Sequence, residues 1–275
     1  MQSVANIGEA GIVAFWLIYL ALGAAAGVLA GLLGVGGGLV LVAALAWVLP
    51  HQGFAADAVM HVALATSLAS IILTGLSSAR AHHRRGSVGW GMVAWLVPGM
   101  LLGAWFGVDL AVALAGDTLR WLVAGYCYLA AAQLVFSRPR PLRAHDDDPH
   151  GASLSLAGVG IGAVSAVVGI GGGSMTVPLL VWRGVDAVRA VGTSSACGVA
   201  IAIASAAGYG LHAPDTVLPA GSVGYVFVPA ALVIALASVS MAPLGVRLAH
   251  WLSGHALKRV FAGFLVLVGS SLLLG

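Results

Sequence analysis

Eight long apolar stretches follow one another along the chain, separated by short polar segments. They cover roughly residues 11–49, 58–79, 90–114, 119–136, 152–182, 187–210, 222–249 and 256–274. Most hold about 20 residues, and a helix of that length, rising about 1.5 Å per residue, crosses the hydrocarbon core of a bilayer. The pattern therefore predicts an all-α polytopic membrane protein.

The first and fifth stretches differ from the others because a glycine cluster interrupts each of them. The clusters are Gly34-Val-Gly-Gly-Gly38 and Gly169-Ile-Gly-Gly-Gly173. Glycine lets the backbone turn sharply and approach a ligand closely. Non-helical backbone at membrane depth is tolerated only inside protein or beside a wet cavity. We therefore expect each broken stretch to form a re-entrant hairpin and expect a cavity where the breaks meet.

The two halves of the chain repeat each other in sequence. After the glycine clusters, four further pairs of blocks follow in the same order: Ala65-Thr66-Ser67 with Gly192-Thr193-Ser194, Gly86–Trp90 with Gly221–Tyr225, Gly107–Ala111 with Gly245–Ala249, and Leu119–Gly125 with Leu257–Gly263. Chance similarity between apolar runs explains one such pair, not five in order. The chain is therefore predicted to be duplicated, each repeat holding one glycine-broken segment and three spanning helices.

Composition excludes the soluble classes of protein. Of the 275 residues 60% are hydrophobic, and only 12 are Lys or Arg and 9 are Asp or Glu. Soluble domains average about 25% charged residues. A soluble enzyme or a nucleic-acid binder is thus ruled out, and the lipid bilayer is the expected partner. No cofactor and no metal are expected, and a homodimer is left open.

Charge placement predicts the topology. The hydrophilic stretch around Arg138–His150 divides the chain into a first membrane repeat (1–137), a cytoplasmic linker (138–151) and a second membrane repeat (152–275). If both broken stretches enter and leave on one face, 11 of the 12 basic residues face the cytoplasm and only Arg120 lies outside. This arrangement has six spans, two inverted repeats and external termini. Eight simple spans remain the alternative, because 11–33 alone is long enough to cross.

The breaks suggest an anion site. A helix that restarts after a break points free N–H groups and the positive end of its dipole at the cavity. Hydroxyls can add donors without a buried cationic side chain, and the nearby ones are Thr66, Ser67, Ser174, Thr193, Ser194 and Ser195. The competing interpretation is structural, since hydroxyls in membrane helices often bond their own backbone. The series Gly23/Gly27/Gly31 and Gly99/Gly103/Gly107 have the spacing of helix-packing glycines.

These motifs resemble a known family. The segments GLLGVGGGLVLVAAL (31–45) and AVVGIGGGSMTVPLL (166–180), the ATSL and GTSS blocks and the duplicated halves are similar to the sulfite exporter TauE/SafE family. The resemblance implies a multi-pass secondary transporter of the bacterial inner membrane that moves small sulfur-containing anions, such as sulfite and sulfonates including sulfoacetate. One departure is Ala43, which stands where the second motif has Pro178.

Residue by residue, the resemblance implies a substrate region in both halves. It comprises Gly34, Gly36, Gly37, Gly38, Thr66, Ser67, Gly169, Gly171, Gly172, Gly173, Thr193 and Ser194, and Ser174 joins it through its hydroxyl. Two other functions stay open: a passive small-anion channel, and an intramembrane serine hydrolase using Ser174 or Ser194 with His212. The particular anion, the direction of transport and the coupling ion are not determined by the sequence.

Overall fold

The computed structural model describes residues 9–33, 37–136, 149–249 and 254–274. Gly34, Gly36 and most of the predicted linker lie outside the described residues. The described part is almost entirely helical: α1 (Glu9–Leu33), α2 (Gly38–Val48), α3 (Val59–Arg84), α4 (Trp90–Ala113), α5 (Gly116–Phe136), α6 (Ala152–Val168), α7 (Gly173–Trp182), α8 (Ala187–Leu211), α9 (Val228–Ala249) and α10 (Gly254–Leu274). A small hairpin of β1 (Ser222–Val223) and β2 (Val226–Phe227) precedes α9. The predicted all-α fold is confirmed.

Both glycine clusters interrupt a helix, and a short helix restarts after each. The residue before each short helix has the same left-handed backbone, with φ of 65° at Gly37 and 72° at Gly172. L-residues rarely adopt this conformation, whereas glycine does so without steric cost. A Cβ would also collide, lying 2.7 Å from the carbonyl oxygen of Ala26 at the first position and 2.5 Å from Cδ1 of Ile201 at the second. The predicted breaks are therefore confirmed.

Each short helix runs back towards the end of the bundle at which the preceding long helix begins. The guanidinium of Arg183, just after α7, donates to the hydroxyl of Ser153 at the start of α6 (3.3 Å). In the first half Tyr19 of α1 donates to the side chain of Gln52, just after α2 (2.7 Å). Helices of 11 and 10 residues reach only about 15 Å, half of the hydrocarbon core. The segment α6–α7 thus begins and ends at the same end of the bundle.

The halves are interleaved through glycine-lined helix contacts. A Cβ at Gly107 of α4 would lie 2.5 Å from the carbonyl oxygen of Ala163 in α6, and a Cβ at Gly23 of α1 would lie 2.5 Å from that of Ile234 in α9. Ser238 of α9 donates to the carbonyl oxygen of Gly23 (2.8 Å). The first helix of each half therefore packs closely against the fourth helix of the other half, as expected for helix-packing glycines.

Helices α3 and α8 cross antiparallel at the centre. The hydroxyl of Ser78 donates to that of Ser195 (3.2 Å), and a Cβ at Gly75 would lie 3.0 Å from Cγ2 of Val199. As the residue number falls along α3, the number of the facing residue in α8 rises. Such a crossing is compatible with two halves of opposite orientation. The orientation of each half relative to the bilayer stays a prediction.

The two ends of the bundle differ in charge. We call one end the Ser87 end, where Ser87 contacts Gly192, and the other the His61 end, where a ring nitrogen of His61 contacts the carbonyl oxygens of Ala111 and Leu114 (3.2 and 3.1 Å). The Ser87 end holds Arg80, Arg84, Arg85, Arg183 and Arg189, with Asp186 capping α8, and the His61 end holds Asp57, Asp109, Asp117, Asp215 and Arg120. By the positive-inside rule the Ser87 end is the expected cytoplasmic end.

The outer surface suits a bilayer. Five described helical segments are long and apolar enough to cross one: Val13–Gly31, Val59–Arg84, Trp90–Ala113, Ala187–Leu211 and Val228–Gly245. Large apolar side chains face outwards on them, including Phe106 and Leu236, both more than 60% exposed. Exposed tryptophans at the helix ends, among them Trp47, Trp90 and Trp182, resemble the aromatic belts of membrane proteins.

Candidate functional site

The two breaks meet in the interior of the bundle. The hydroxyl of Ser67, fully buried in α3, lies 3.2 Å from the carbonyl oxygen of Gly38 and 3.0 Å from that of Gly169. A Cβ at Gly38 would lie 2.6 Å from the carbonyl oxygen of Gly169. The start of α2 therefore touches the end of α6, and one serine fastens both breaks.

This contact changes the expected electrostatics of the first break. The N-terminus of α2 carries a partial positive charge, and the C-terminus of α6, capped by Gly169, carries a partial negative charge. Since the two ends are adjacent, part of the positive potential expected at the start of α2 is already compensated. The positive potential that we expected at the start of α2 is therefore weaker than at an isolated helix N-terminus. For α7 the equivalent partners, residues 34–36, lie outside the described residues.

A small cavity lies beside the second break, between α3 and α8. It is lined by Ala30, Ile71, Thr74, Gly75, Ser78, Gly171, Ser194, Ser195 and Gly198, and its volume is about 20 Å³. That is room for about one water molecule. Two predicted site residues, Gly171 and Ser194, line this cavity. An anion the size of sulfite enters it only if α3 and α8 move apart.

Four hydroxyls of the cavity differ in their partners. Thr74 donates to the carbonyl oxygen of Ser70 (3.1 Å), and Ser195 donates to that of Val191 (3.0 Å) while accepting from Ser78. Ser194 is 1% exposed, and its hydroxyl has no partner among the described residues. Buried hydroxyls are nearly always satisfied in native proteins. The hydroxyl of Ser194 is therefore the group that a ligand in the cavity would meet.

The two threonines of the Thr-Ser blocks lie at opposite ends. Thr66 accepts from the backbone N–H of Phe227 (3.0 Å), just before α9, and Thr193 accepts from that of Gly89 (2.9 Å), just before α4. Because Ser78 faces Ser195 in an antiparallel pair, the threonines are about 20 Å apart along the helices. The expectation that both face one cavity is wrong, since antiparallel duplicated helices carry equivalent positions to opposite ends.

The other predicted residues take structural or separate positions. Gly172 and Gly173 form the point at which the helix restarts as α7, and Gly37 and Gly38 form the equivalent restart of α2. The hydroxyl of Ser174 is hydrogen-bonded to that of Tyr126 in α5, and Ser174 is not among the residues that line the cavity. The second break thus has two hydroxyls nearby, that of Ser174 in α7 and that of Ser194 in α8.

The serine–histidine pair of the hydrolase alternative is not formed. His212 lies at the end of α8, with one ring nitrogen 2.9 Å from the carbonyl oxygen of Gly208 and the other 3.4 Å from the carboxylate of Asp109. Ser194 is about 27 Å away along the same helix. Ser174 is engaged by Tyr126. Neither candidate nucleophile therefore has His212 as its base in this conformation.

A second, acidic pocket opens at the His61 end. Its volume is about 290 Å³, and its lining includes Asp57, His61, Asp215 and Tyr225. The rings of His61 and Tyr225 lie 5.1 Å apart. Burial, followed by the carboxylates of Asp215 and Asp57, raises the pKa of Tyr225. The two carboxylates make this end unfavourable for anions relative to the basic Ser87 end.

Sequence reasoning overlooked the α3 side of the cavity. Ser70, Thr74 and Ser78 recur every four residues and therefore follow one face of α3. On α8, Ser194 and Gly198 are likewise four residues apart and lie on one face. This spacing was a visible signal of two facing polar stripes in helices that are otherwise apolar.

Broken helices that meet at the interface of two repeats are typical of secondary transporters. The family profile described as sulfite exporter TauE/SafE matches residues 19–272, nearly the whole chain. The chain belongs to the sulfite exporter TauE/SafE family. The resemblance of the glycine motifs is therefore confirmed.

Proteins similar to this chain are named as probable membrane transporters. A probable membrane transporter protein of Haemophilus influenzae is 33% identical over 266 residues, covering 94% of this chain and 98% of that protein. The probable membrane transporter protein YdhB of Bacillus subtilis is 28% identical over 191 residues, covering 66% and 74%. A probable membrane transporter protein of Methanocaldococcus jannaschii is 25% identical over 251 residues, covering 90% and 91%. No solved structure matches the chain. The family member described here is a multi-pass membrane transporter.

Proposed function

We propose that the chain is a secondary transporter that moves a small sulfur-containing anion, such as sulfite or a sulfonate, across the bacterial inner membrane. The observation that carries the proposal is the meeting of the two breaks, where Ser67 lies within 3.2 Å of carbonyl oxygens from both halves. The match to a sulfite exporter family supports the substrate class. Transport by alternating access needs a site that both halves build, and this junction is such a place.

The second break offers the donors for an oxyanion. In α7 the N–H groups of Met175 and Thr176 donate to the carbonyl oxygen of Gly172, which leaves those of Gly173 and Ser174 ahead of the first helical bond. The free hydroxyl of Ser194 lines the neighbouring cavity. No Lys or Arg lines that cavity in the described part of the chain. The backbone N–H groups at the start of α7, with the hydroxyl of Ser174, would therefore bind the anion without a buried cationic side chain.

The narrow cavity requires a conformational change during transport. Its 20 Å³ cannot hold a four-atom anion, so the anion would reach the start of α7 only as α3 and α8 separate. The glycine-packed pairs α1–α9 and α4–α6 each join helices from different halves. Such pairs would move as units, because separating them would expose closely packed backbone. The basic Ser87 end would attract anions from the cytoplasm, which favours export.

Transport into proteoliposomes tests this proposal. Uptake of sulfite, sulfoacetate, taurine and sulfate would be measured in parallel, with and without a proton gradient. Saturable uptake of one sulfur anion that competes with the others is expected. Flux that rises linearly with concentration would instead identify a passive channel, and no flux of any of the four would contradict the substrate class.

Cysteine labelling tests the proposed orientation. Val217 at the His61 end is 99% exposed, and His150 before α6 is exposed at the other end. Val217→Cys should react with an impermeant reagent from outside the cell, and His150→Cys only from the cytoplasm. The native Cys127 and Cys197 are buried and add little background. The opposite labelling pattern would reverse the topology.

A further inference from the structure

The hydroxyls that line the cavity between α3 and α8 offer mainly acceptor lone pairs, because most of their protons are already donated in hydrogen bonds. Thr74 and Ser195 give their hydroxyl protons to backbone carbonyl oxygens, and Ser78 gives its proton to Ser195. A hydroxyl that has donated keeps acceptor capacity. Three of the four hydroxyls that line this cavity are therefore better ligands for a cation than for an anion.

The fourth hydroxyl is available to an occupant of the cavity. Ser194 is 1% exposed and has no hydrogen-bond partner among the described residues. A buried polar group without a partner lowers stability, so native proteins rarely retain one unless a ligand or water satisfies it. The hydroxyl of Ser194 can turn its lone pairs towards a bound ion.

The backbone of Gly171 forms part of the wall of the cavity. The carbonyl oxygen of Gly171 lies against α8, 2.5 Å from the point where a Cβ at Gly198 would stand. Gly171 follows the C-terminal end of α6, which carries a partial negative charge. Unwound carbonyls and half-helix C-termini are the groups that hold coupling cations in transporters with broken helices.

We propose that this cavity binds one sodium ion through the hydroxyl oxygens of Thr74, Ser78, Ser194 and Ser195 and the carbonyl oxygen of Gly171. Hard cations prefer oxygen ligands. The lining holds no carboxylate, so a divalent ion would be left with uncompensated charge, whereas a monovalent ion is better tolerated. Oxygen ligands of this kind hold Na⁺ in other transporters with broken helices. Sodium as the coupling ion rests on the proposed function, but the binding itself does not.

Sodium binding to the purified full-length chain tests the site without any transport assay. The thermal unfolding midpoint and the binding of radioactive Na⁺ would be followed as NaCl replaces choline chloride at constant ionic strength, with KCl as a parallel series. A ligand that binds only the folded state raises the midpoint saturably. Ser194→Ala and Thr74→Val are each expected to weaken Na⁺ binding about tenfold. Ser240→Ala should bind as the wild type does, because exposed Ser240 bonds only its own helix.

The outcomes separate the two proposals. Equal responses of the wild type to Na⁺, K⁺ and choline would overturn the sodium site and leave a water molecule as the occupant. Unchanged Na⁺ affinity in both variants would also overturn it. If Ser194→Ala does not fold, the isosteric Thr74→Val decides alone. Saturable anion uptake without any sodium response overturns only this site, whereas sodium binding without anion uptake contradicts only the proposed function.

Discussion

Ser67 and Ser194 occupy equivalent positions in the two halves of the chain, yet their hydroxyls have different surroundings. Ser67 lies 3.2 and 3.0 Å from two carbonyl oxygens, one from each break. Ser194 has no partner in the described part of the chain and lines the central cavity. One of the two equivalent serines fastens the breaks, while the other remains available to a ligand.

The first residues after the starts of α2 and α7 also differ, one being apolar and the other polar. In the first half Leu39 follows Gly38 and is buried in the apolar core. In the second half Ser174 follows Gly173 and is hydrogen-bonded to Tyr126. The second break is therefore the more polar of the two, and we expect it to contribute more to anion binding.

The largest effect on transport is expected when the glycine that precedes α7 or α2 is replaced by valine. Gly172→Val should abolish transport, because the backbone is left-handed there and a Cβ would lie 2.5 Å from Cδ1 of Ile201. Gly37→Val should do the same through its contact with Ala26. Anion uptake per folded protein is the measurement. Gly160→Val in α6 is the matched control, since a Cβ there meets nothing within 4 Å. Wild-type uptake in Gly172→Val would show that the second restart is not needed for transport.

Replacing Ser67 or Ser194 with alanine tests whether the two equivalent serines have different roles. Ser67→Ala removes a buried donor from two carbonyl oxygens and should lower the free energy of unfolding by about 1–3 kcal/mol. Ser194→Ala loses no hydrogen bond and should not destabilise the free protein, but it should weaken ligand binding. Chemical unfolding and ligand titration of both variants give the two quantities. Equal destabilisation of the two would remove the distinction between fastening and ligand binding.

A smaller, symmetric effect is expected at the threonines. Thr66→Val and Thr193→Val each remove the acceptor for a backbone N–H before a helix of the other half. Loss of one such hydrogen bond typically costs about 0.5–1.5 kcal/mol. Both variants should unfold earlier by similar amounts and keep the affinity for the anion. A tenfold loss of anion affinity with unchanged stability would return both threonines to the substrate site.

The smallest effect is expected at Arg120. It lies in the first turns of α5, beside an outer groove between α2 and α10, and does not line the central cavity. Arg120→Ala should leave the anion affinity within about twofold of the wild type. Loss of binding in this variant, measured by uptake at varied substrate concentration, would move the anion site to the outer groove.

Much of the architecture was predictable because its signals are local. Glycine clusters, apolar stretches of spanning length and recurring blocks are visible in the residues themselves. The positions of the restarts at Gly37 and Gly172 follow from the same clusters. The family resemblance was predictable for the same reason, since the motifs are short and continuous. The order of five helices in each half agrees with the repeated blocks.

The role of each site residue was decided by partners distant in sequence. Thr66 bonds Phe227 and Ser67 contacts Gly169, and no spacing within one half reveals these pairs. The antiparallel crossing of α3 and α8 placed equivalent threonines about 20 Å apart, although the repeat made them look like one pair. It also brought Ser78 to Ser195 and so formed a cavity wall from two halves. The sequence by itself determined where the helices break, because backbone freedom is a property of glycine. Only the tertiary structure decided which hydroxyls are used up in packing and which remain free, because that depends on the carbonyl oxygen that the other half brings within reach.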